Sequence, residues 1–281
     1  MAETDKRHKI PKERLDKLLV ERGLVESRTR AQALIMAGKV KVNGERVDKA
    51  GAPTGQDCVL EVDEGQRWAS RGAFKLLKAL DVFQLEVAGR VCVDIGASTG
   101  GFTDVLLSAG AKKVYAVDVG YGQLHSRLAH DPRVVVMDRT NARTLTPDRL
   151  GRGSVDDRVA LAVCDASFIS LRLLLPAMDS ILSQEGEAVV LIKPQFEAGR
   201  ERLGRGGVVR DPAVHAAVLR EVRDFALRET RLRPVGLSWS PILGPEGNRE
   251  FLCLLTRDAG AAIVADAIVE AAVKAAHEEL L

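Results

Sequence analysis

Four charged side chains stand where apolar runs of the sequence break off. In VVLIKPQFE the run Val189–Ile192 meets Lys193 and then a proline, the pattern of a buried strand whose end carries an ammonium. LAVCDASF ends its run at Asp165 in the same way, and Glu250 opens the last apolar run, in GPEGNREFLCLL. If that last strand runs against its neighbours, its start lies at the edge where theirs end. Lys75 sits in SRGAFKLLKAL, a predicted helix with Ala73, Leu76, Leu77 and Leu80 inward, directly ahead of the first strand. Taken singly, each is as well explained by an ordinary ion pair or by a lysine reaching out to water. Two amines and two acids gathered at one sheet edge can instead orient an oxygen nucleophile and take its proton.

A glycine turn lies in the same frame. VCVDIGASTGGFTDVLL reads as strand, turn and helix, with Gly96 for the sharp bend and Gly100 and Gly101 allowing backbone to approach a ligand. Its G-x-x-x-G-G spacing differs from the dinucleotide G-x-G-x-x-G, which disfavours a dehydrogenase. Asp94, at the strand tip before the turn, would repel a pyrophosphate and suits the cationic ammonium of S-adenosyl-L-methionine (SAM). Asp118 closes the second strand, where an acid can accept ribose hydroxyls, and Asp138 closes the third, near the expected adenine edge. The expected cofactor contacts are Asp94, Gly96, Ala97, Ser98, Thr99, Gly100, Gly101, Phe102, Asp118, Val119, Asp138 and Asp165.

Positioning these groups requires a sheet. Strands are predicted at Val91–Asp94, Lys113–Asp118, Arg133–Met137, Val159–Cys164, Glu187–Ile192, Pro234–Trp239 and Glu250–Leu255. The first five alternate with helical segments, which implies an α/β fold with a parallel sheet covered on both faces. The last two enclose a loop without a helix and should pair antiparallel at one edge.

The front of the chain differs. Residues 1–49 carry thirteen Lys and Arg against eight Asp and Glu, although the whole chain has a net charge of only +2. RLDKLLVERG and SRTRAQALIMAG predict two short helices stopped by Gly23 and Gly38, the second capped by Ser27. KVKVNGERV predicts a hairpin turning at Asn43-Gly44. Arg14, Arg28, Arg30, Lys39, Lys41 and Arg46 are candidates for a phosphate-binding face, the alternative being a solvated charged surface.

Scattered Cys58, Cys92, Cys164 and Cys253 show no metal-ligand spacing, so no metal is expected, and a reducing cytoplasm fits them. The start MAETDKRHKIPKERLD has no apolar core of signal-peptide length. AAIVADAIVEAAVKAA is crossed by Asp266, Glu270 and Lys274 at helical spacing, the stripe of an amphipathic surface helix, and no membrane partner is expected.

The front segment resembles an S4-type RNA-binding domain. The set Lys75, Asp165, Lys193 and Glu250 resembles that of FtsJ-type RNA ribose 2′-O-methyltransferases. SRGAFKL, DIGASTGGFTDVLL, AVDVGYGQL, RTNAR, DASFISL, IKPQFE, GGVVRDP and GPEGNREF, in this order, resemble the TlyA family of haemolysin-like rRNA methyltransferases over nearly the whole chain. The resemblance implies a Rossmann-like, class I, SAM-dependent methyltransferase domain behind a small α+β S4 domain. It divides the chain into a charged extension at 1–13, the S4-type domain at 14–66, a linker at 67–70 and the methyltransferase domain at 71–281. It implies methyl transfer to a ribose 2′-hydroxyl, of cytidine, in large-subunit and for some members small-subunit rRNA, with ribosomal RNA or a ribosomal subunit as partner. Lys193 then acts either as a base, with its pKa brought from about 10.4 toward roughly 7 to 8, or as a charged group that positions the hydroxyl. EAGRERLGRGGVVRDP places Arg200, Arg202, Arg205 and Arg210 on a basic loop that is either an RNA clamp or plain surface. Competing readings are a membrane-active haemolysin and a non-catalytic RNA-binding protein; the complete cofactor and site set speaks against both.

Overall fold

The computed structural model describes residues 11–25, 27–63, 68–151 and 159–280. The chain divides into two compact units between Arg67 and Trp68. The first contains β1 (Lys12–Arg14), α1 (Leu15–Glu21), α2 (Arg28–Met36), β2 (Val40–Val42), β3 (Glu45–Arg46), β4 (Pro53–Gly55) and β5 (Leu60–Val62). Ser27 caps α2 by accepting from the Arg30 amide at 3.2 Å. β2 and β3 form the expected hairpin, with Asn43 and Gly44 at φ 53° and 83°, the left-handed pair that matches a two-residue turn to strand twist. β5 adds to the free edge of β2. Leu15, Leu19, Ala31, Ile35 and Val40 make a small, fully buried core.

Two expectations change here. Lys12 and Glu13, assigned to a charged extension, belong to β1, which pairs with β4. A three-residue pairing with polar side chains has no periodicity to reveal it. Residues 1–10 of that extension lie outside the described residues, as does Arg67 of the expected linker. The rest of that linker is part of the second unit: Trp68 and Ala69 pack on its core. The Ala69 amide donates to buried Asp104 at 2.9 Å.

The second unit runs α3 (Ala73–Val82), β6 (Val91–Ile95), α4 (Gly101–Ser108), β7 (Lys113–Val117), α5 (Ser126–Ala129), β8 (Val134–Met137), β9 (Val159–Cys164), α6 (Leu175–Ile181), β10 (Leu182–Ile192), α7 (Pro194–Glu197), α8 (Pro212–Glu229), β11 (Arg233–Trp239), β12 (Phe251–Thr256) and α9 (Asp266–Glu279). Its strands form a seven-stranded sheet in the order β11-β12-β10-β9-β6-β7-β8. β12 pairs antiparallel with β10 and β11, while the pairs among β10, β9, β6, β7 and β8 are parallel. β10 begins at Leu182, earlier than predicted, because Leu182 pairs with Val159 ahead of an irregular polar stretch that breaks the apolar run. α9 begins later than the apolar run suggests, and buries Val269, Ala272, Val273 and Ala276.

Strand side chains alternate between faces, and they do so here toward the strand ends that carry the charges. Cys92, Leu161, Val163, Val189, Leu191, Leu252 and Leu254 pack with α3, α4 and α5. Val93, Ile95, Ala162, Cys164, Val190, Ile192, Phe251 and Cys253 pack with α6, α8 and α9 on the other side. Counting in twos from the first set reaches Asp94, Asp165, Lys193 and Glu250. The charged residues at the strand ends therefore share one face, the face covered by α3, which carries Lys75.

On the opposite face His215 of α8 is fully buried. Its Nε2 lies 3.1 Å from the Val209 carbonyl, which can only accept, so that nitrogen carries the proton. Its Nδ1 lies 2.9 Å from Nε2 of His277. Burial, and then His277 and Arg249, push His215 down to about 4 from 6.5, against the Val209 hydrogen bond and Asp211. A base with a lowered folded pKa stabilises the fold fully above its unfolded pKa and loses that contribution as pH falls toward the folded one. Urea denaturation should show native protein losing roughly 2 to 3 kcal/mol relative to His215→Phe between pH 7 and pH 4. A pH-independent difference between the two proteins would show that His215 does not titrate this way.

Candidate active site

The four charged residues form one chain of contacts. Glu250, just before β12, is fully buried, and its Oε2 lies 2.7 Å from Lys75 Nζ. Lys75 lies 3.1 Å from Asp165 Oδ2, and Asp165 Oδ1 lies 2.7 Å from Lys193 Nζ. Lys193 also donates to the Asp165 carbonyl at 3.2 Å and to Ser167 Oγ at 2.8 Å. Burial alone would lower Lys75, but the Asp165 and Glu250 carboxylates more than offset it and hold the amine above its ordinary value. Gly244 is glycine for a steric reason, since a Cβ there would sit 2.3 Å from Glu250 Oε1.

Two adjoining cavities open on this chain. One, of about 470 Å³, is lined by Ser70, Arg71, Lys75, Gly96–Thr99, Gly101, Phe102, Asp165, Ser167, Lys193 and Ile242–Gly244. The other, of about 620 Å³, is lined by Gly96, Ser98, Asp118, Val119, Gln123, Asn141–Arg143 and Asp165–Ile169 among others. Gly96, Ser98, Asp165 and Ser167 border both, so the two volumes meet beside Asp165.

Several expected cofactor residues also make structural contacts. Asp94, Gly100 and Asp138 line neither cavity. Gly100 admits Leu124 and Leu128, Gly101 admits Ser70, and Gly96 admits the Ala166 backbone; a Cβ at any of them would clash. These glycines bring protein segments together, and Gly96 and Gly101 line the cavities as well. Asp118 accepts the amides of Ser98 (2.8 Å) and Gly120 (2.7 Å), and Asp138 accepts that of Gly122 (2.8 Å), so both hold loops. Asp94 is fully buried, with Oδ2 accepting from Thr103 at 2.7 Å and Oδ1 without a donor among the described residues. Burial pushes its carboxyl up to about 7 against the Thr103 hydrogen bonds, with Asp165 and Asp118 adding to the rise.

Residues 68–257 match the FtsJ-like methyltransferase family and residues 13–53 the S4 domain. The 16S/23S rRNA (cytidine-2′-O)-methyltransferase TlyA of Mycobacterium tuberculosis is 46% identical over 94% of this chain and 97% of its own length. The chain belongs to the TlyA family of FtsJ-like methyltransferases. Bacillus subtilis YqxC, named as a candidate rRNA methyltransferase, is 51% identical over 86% of this chain and 84% of its own. A solved Streptococcus thermophilus structure, described as a candidate hemolysin, shares 44% identity and a TM-score of 0.72 over 96% of this chain and 97% of its own. No helix among the described residues of this TlyA-family chain is long and apolar enough to cross a membrane.

The expected RNA-contacting residues divide into groups. Arg14 and Arg28, each half exposed, both pair with Asp16, at 3.0 and 3.1 Å, and Gln32 donates to the same carboxylate at 2.8 Å. Hydrogen bonds from Arg14, with Gln32 and Arg28 behind it, hold Asp16 well below the usual carboxylate range. Lys39 pairs with Asp63 and Lys41 with Glu61, at 2.6 and 3.7 Å, and Lys41 stands opposite Arg46 in the hairpin. Arg30, Arg200, Arg205 and Arg210 are exposed. Arg202 is partly exposed and pairs with Glu221 at 2.8 Å, which braces the start of its loop.

Sequence reasoning passed over Ser70, Arg71, Asn141, Ser167 and Phe168. All sit inside stretches with family resemblance, but none interrupts an apolar run or carries a lone charge at a strand tip. Phe168 is 91% exposed with φ 63°, its ring 5.3 Å from Phe196. Glu197 was missed as a brace: buried in α7, it accepts from Ser170 Oγ and the Leu171 amide, each at 2.7 Å. It ties the segment after β9 to the segment after β10.

Removing Lys75 strands a fully buried carboxylate. Lys75→Met should cost about 3–5 kcal/mol in urea denaturation, and adding Glu250→Gln should recover a large part of that loss. Strictly additive effects of the two changes would show that the ion pair is not coupled.

Proposed function

We propose that this chain transfers a methyl group from SAM to the 2′-hydroxyl of a cytidine ribose in ribosomal RNA, with 23S rRNA the first candidate and 16S rRNA the second. The observation that carries the reading is the buried chain Glu250–Lys75–Asp165–Lys193 at the wall where two cavities meet. The relative from Mycobacterium tuberculosis, named for this activity on both RNAs, supports the substrate class. The S4 domain supports RNA as the partner, with Arg14, Arg28 and the exposed basic residues as phosphate contacts.

The residues present fit SAM. Ser98, Thr99, Val119 and Asn141 line the cavities, and Asp94, buried behind their wall, leaves Oδ1 without a donor, a need that a cationic amine at the turn or a bridging water would satisfy. Bound SAM supplies an electrophilic methyl group on a positive sulfur. The protein's task is then to hold a weakly nucleophilic hydroxyl in line and relieve it of its proton. Lys193 is placed to hold the ribose O2′. The three oxygens around its Nζ are the full complement of an ammonium, which has three N–H donors, so the geometry supports the charged positioning role over the neutral base. Asp165, of the four, borders both cavities, and its carboxylate, 2.7 Å from Lys193, would be the acceptor for the departing proton. Lys75 and Glu250 hold that carboxylate in place and keep the buried set electrically balanced.

Transfer of labelled methyl from SAM to separated ribosomal subunits, with mapping of the modified ribose, tests the reading. Lys193→Ala should lower turnover at least about 100-fold while leaving SAM affinity within a few-fold of native. Near-native turnover in that variant would refute the assignment. The Asp94 carboxyl, raised to about 7, takes up a proton as pH falls below that value and loses its attraction for the cofactor's ammonium. Calorimetric SAM affinity should therefore weaken from pH 7 to pH 5.5 in native protein and stay flat in Asp94→Asn; parallel curves would exclude Asp94 as a partner of that ammonium.

A further inference from the structure

Lys193 is already fully hydrogen-bonded before any ribose arrives. Its three partners are Asp165 Oδ1 at 2.7 Å, the Asp165 carbonyl at 3.2 Å and Ser167 Oγ at 2.8 Å. An ammonium has three N–H groups and no more, so a ribose O2′ that hydrogen-bonds to Lys193 must replace or share one of the three. The two Asp165 oxygens cannot give way easily. The carbonyl belongs to the backbone at the tip of β9, and the carboxylate is pinned from its other side by Lys75 at 3.1 Å. Ser167 is different in kind: it is exposed, it borders both cavities, and its hydroxyl can rotate.

We propose that Ser167 is a positioning residue for the nucleophile: its hydroxyl holds the third Lys193 N–H toward the junction of the cavities and marks the seat that the ribose O2′ takes. This rests on the methyltransferase reading given above. While it accepts from Lys193, Ser167 keeps its own O–H free to donate. An arriving O2′ can accept from Lys193 in its place and stay bonded to the serine hydroxyl, so neither group is left unsatisfied during the exchange. The segment that carries Ser167 is held for this purpose. Ser170 and the Leu171 amide are both bonded to Glu197, four residues after Lys193, so serine and lysine are braced against each other from both ends.

Native protein, Ser167→Ala, Ser167→Thr and Lys193→Ala are compared on purified large ribosomal subunits by kcat and KM, on SAM by calorimetric Kd, and by melting temperature. Ser167→Ala should lower kcat about tenfold, with the KM for subunits, the SAM Kd and the melting temperature close to native, and Ser167→Thr should restore most of the rate. A kcat for Ser167→Ala within twofold of native, while Lys193→Ala is inactive, would overturn the role of the serine and leave the site assignment standing. A loss that tracks the SAM Kd or the melting temperature, or that threonine fails to relieve, would overturn it equally, as a merely structural effect. Turnover by Lys193→Ala would overturn both this inference and the reading beneath it.

Discussion

A lysine ammonium with almost no access to water must have counter-charge, and a fully buried glutamate has the same need with the opposite sign. Lys75 and Glu250 meet that need for each other at 2.7 Å, and Lys75 meets a second carboxylate, Asp165, at 3.1 Å. Much of the local architecture follows. α3 has to lie across the sheet at the end where β9 and β10 finish and β12 begins. Gly244 has to lack a side chain so that Glu250 can fit beneath it. The reversal of β12 brings Glu250 to that end at all. An antiparallel strand added to a parallel sheet thus has a chemical consequence, because it presents the start of one strand beside the ends of its neighbours.

The charges alternate along the chain from glutamate to lysine to aspartate to lysine, and the set as a whole is neutral. Burial of the deep pair lets the outer pair be both rigid and polar. Asp165 is fixed from one side by Lys75, so its other oxygen can orient Lys193 without a change of rotamer. Such preorganisation means that little reorientation is left for the moment of reaction. The glycine turn contributes in the same spirit. Gly96, Gly100 and Gly101 admit Ala166, Leu124 with Leu128, and Ser70, which draws the segments before α3 and after β9 against the start of α4. Asp104, bonded to the Ala69 amide and to Arg127, anchors the segment that ends in Ser70.

What could be read from the sequence was what repeats or interrupts. Apolar runs of four to six residues located the seven strands, six of them within a residue or so at the start, because a strand covered on both faces has to be apolar throughout. A charge at the end of such a run is conspicuous, so Asp165, Lys193 and Glu250 could be singled out, and their shared face follows from counting in twos. The hidden features are those whose cause lies far away in the chain. β1 shows only once Pro53–Gly55 is beside it. The glycine roles depend on which segments lie over them, and the loop-holding parts of Asp118 and Asp138 depend on amides that only the fold brings near. Arg202 looks like its neighbours in a basic loop until Glu221 of α8 arrives next to it. Ser167 is a small polar residue among others, and only its distance to Lys193 distinguishes it.

The ends of β9 and β10 carry Asp165 and Lys193, and they are not independent of one another. β10 pairs with β9 through Val190 and Cys164, and that parallel register brings Lys193, three residues beyond Val190, level with Ser167, three residues beyond Cys164. Register cannot fix the loops beyond, and there the buried Glu197 takes over. Burial pushes its carboxyl upward against the hydrogen bonds from Ser170 and the Leu171 amide that favour the ionised form, and Arg172 adds to the latter from 3.9 Å. A carboxylate buried at such cost is explained by what it joins. Through it two hydrogen bonds tie the segment carrying Ser167 to the segment following Lys193. The separation of hydroxyl and ammonium is then set by two strands and a brace, rather than by the rotamer of a long, flexible lysine.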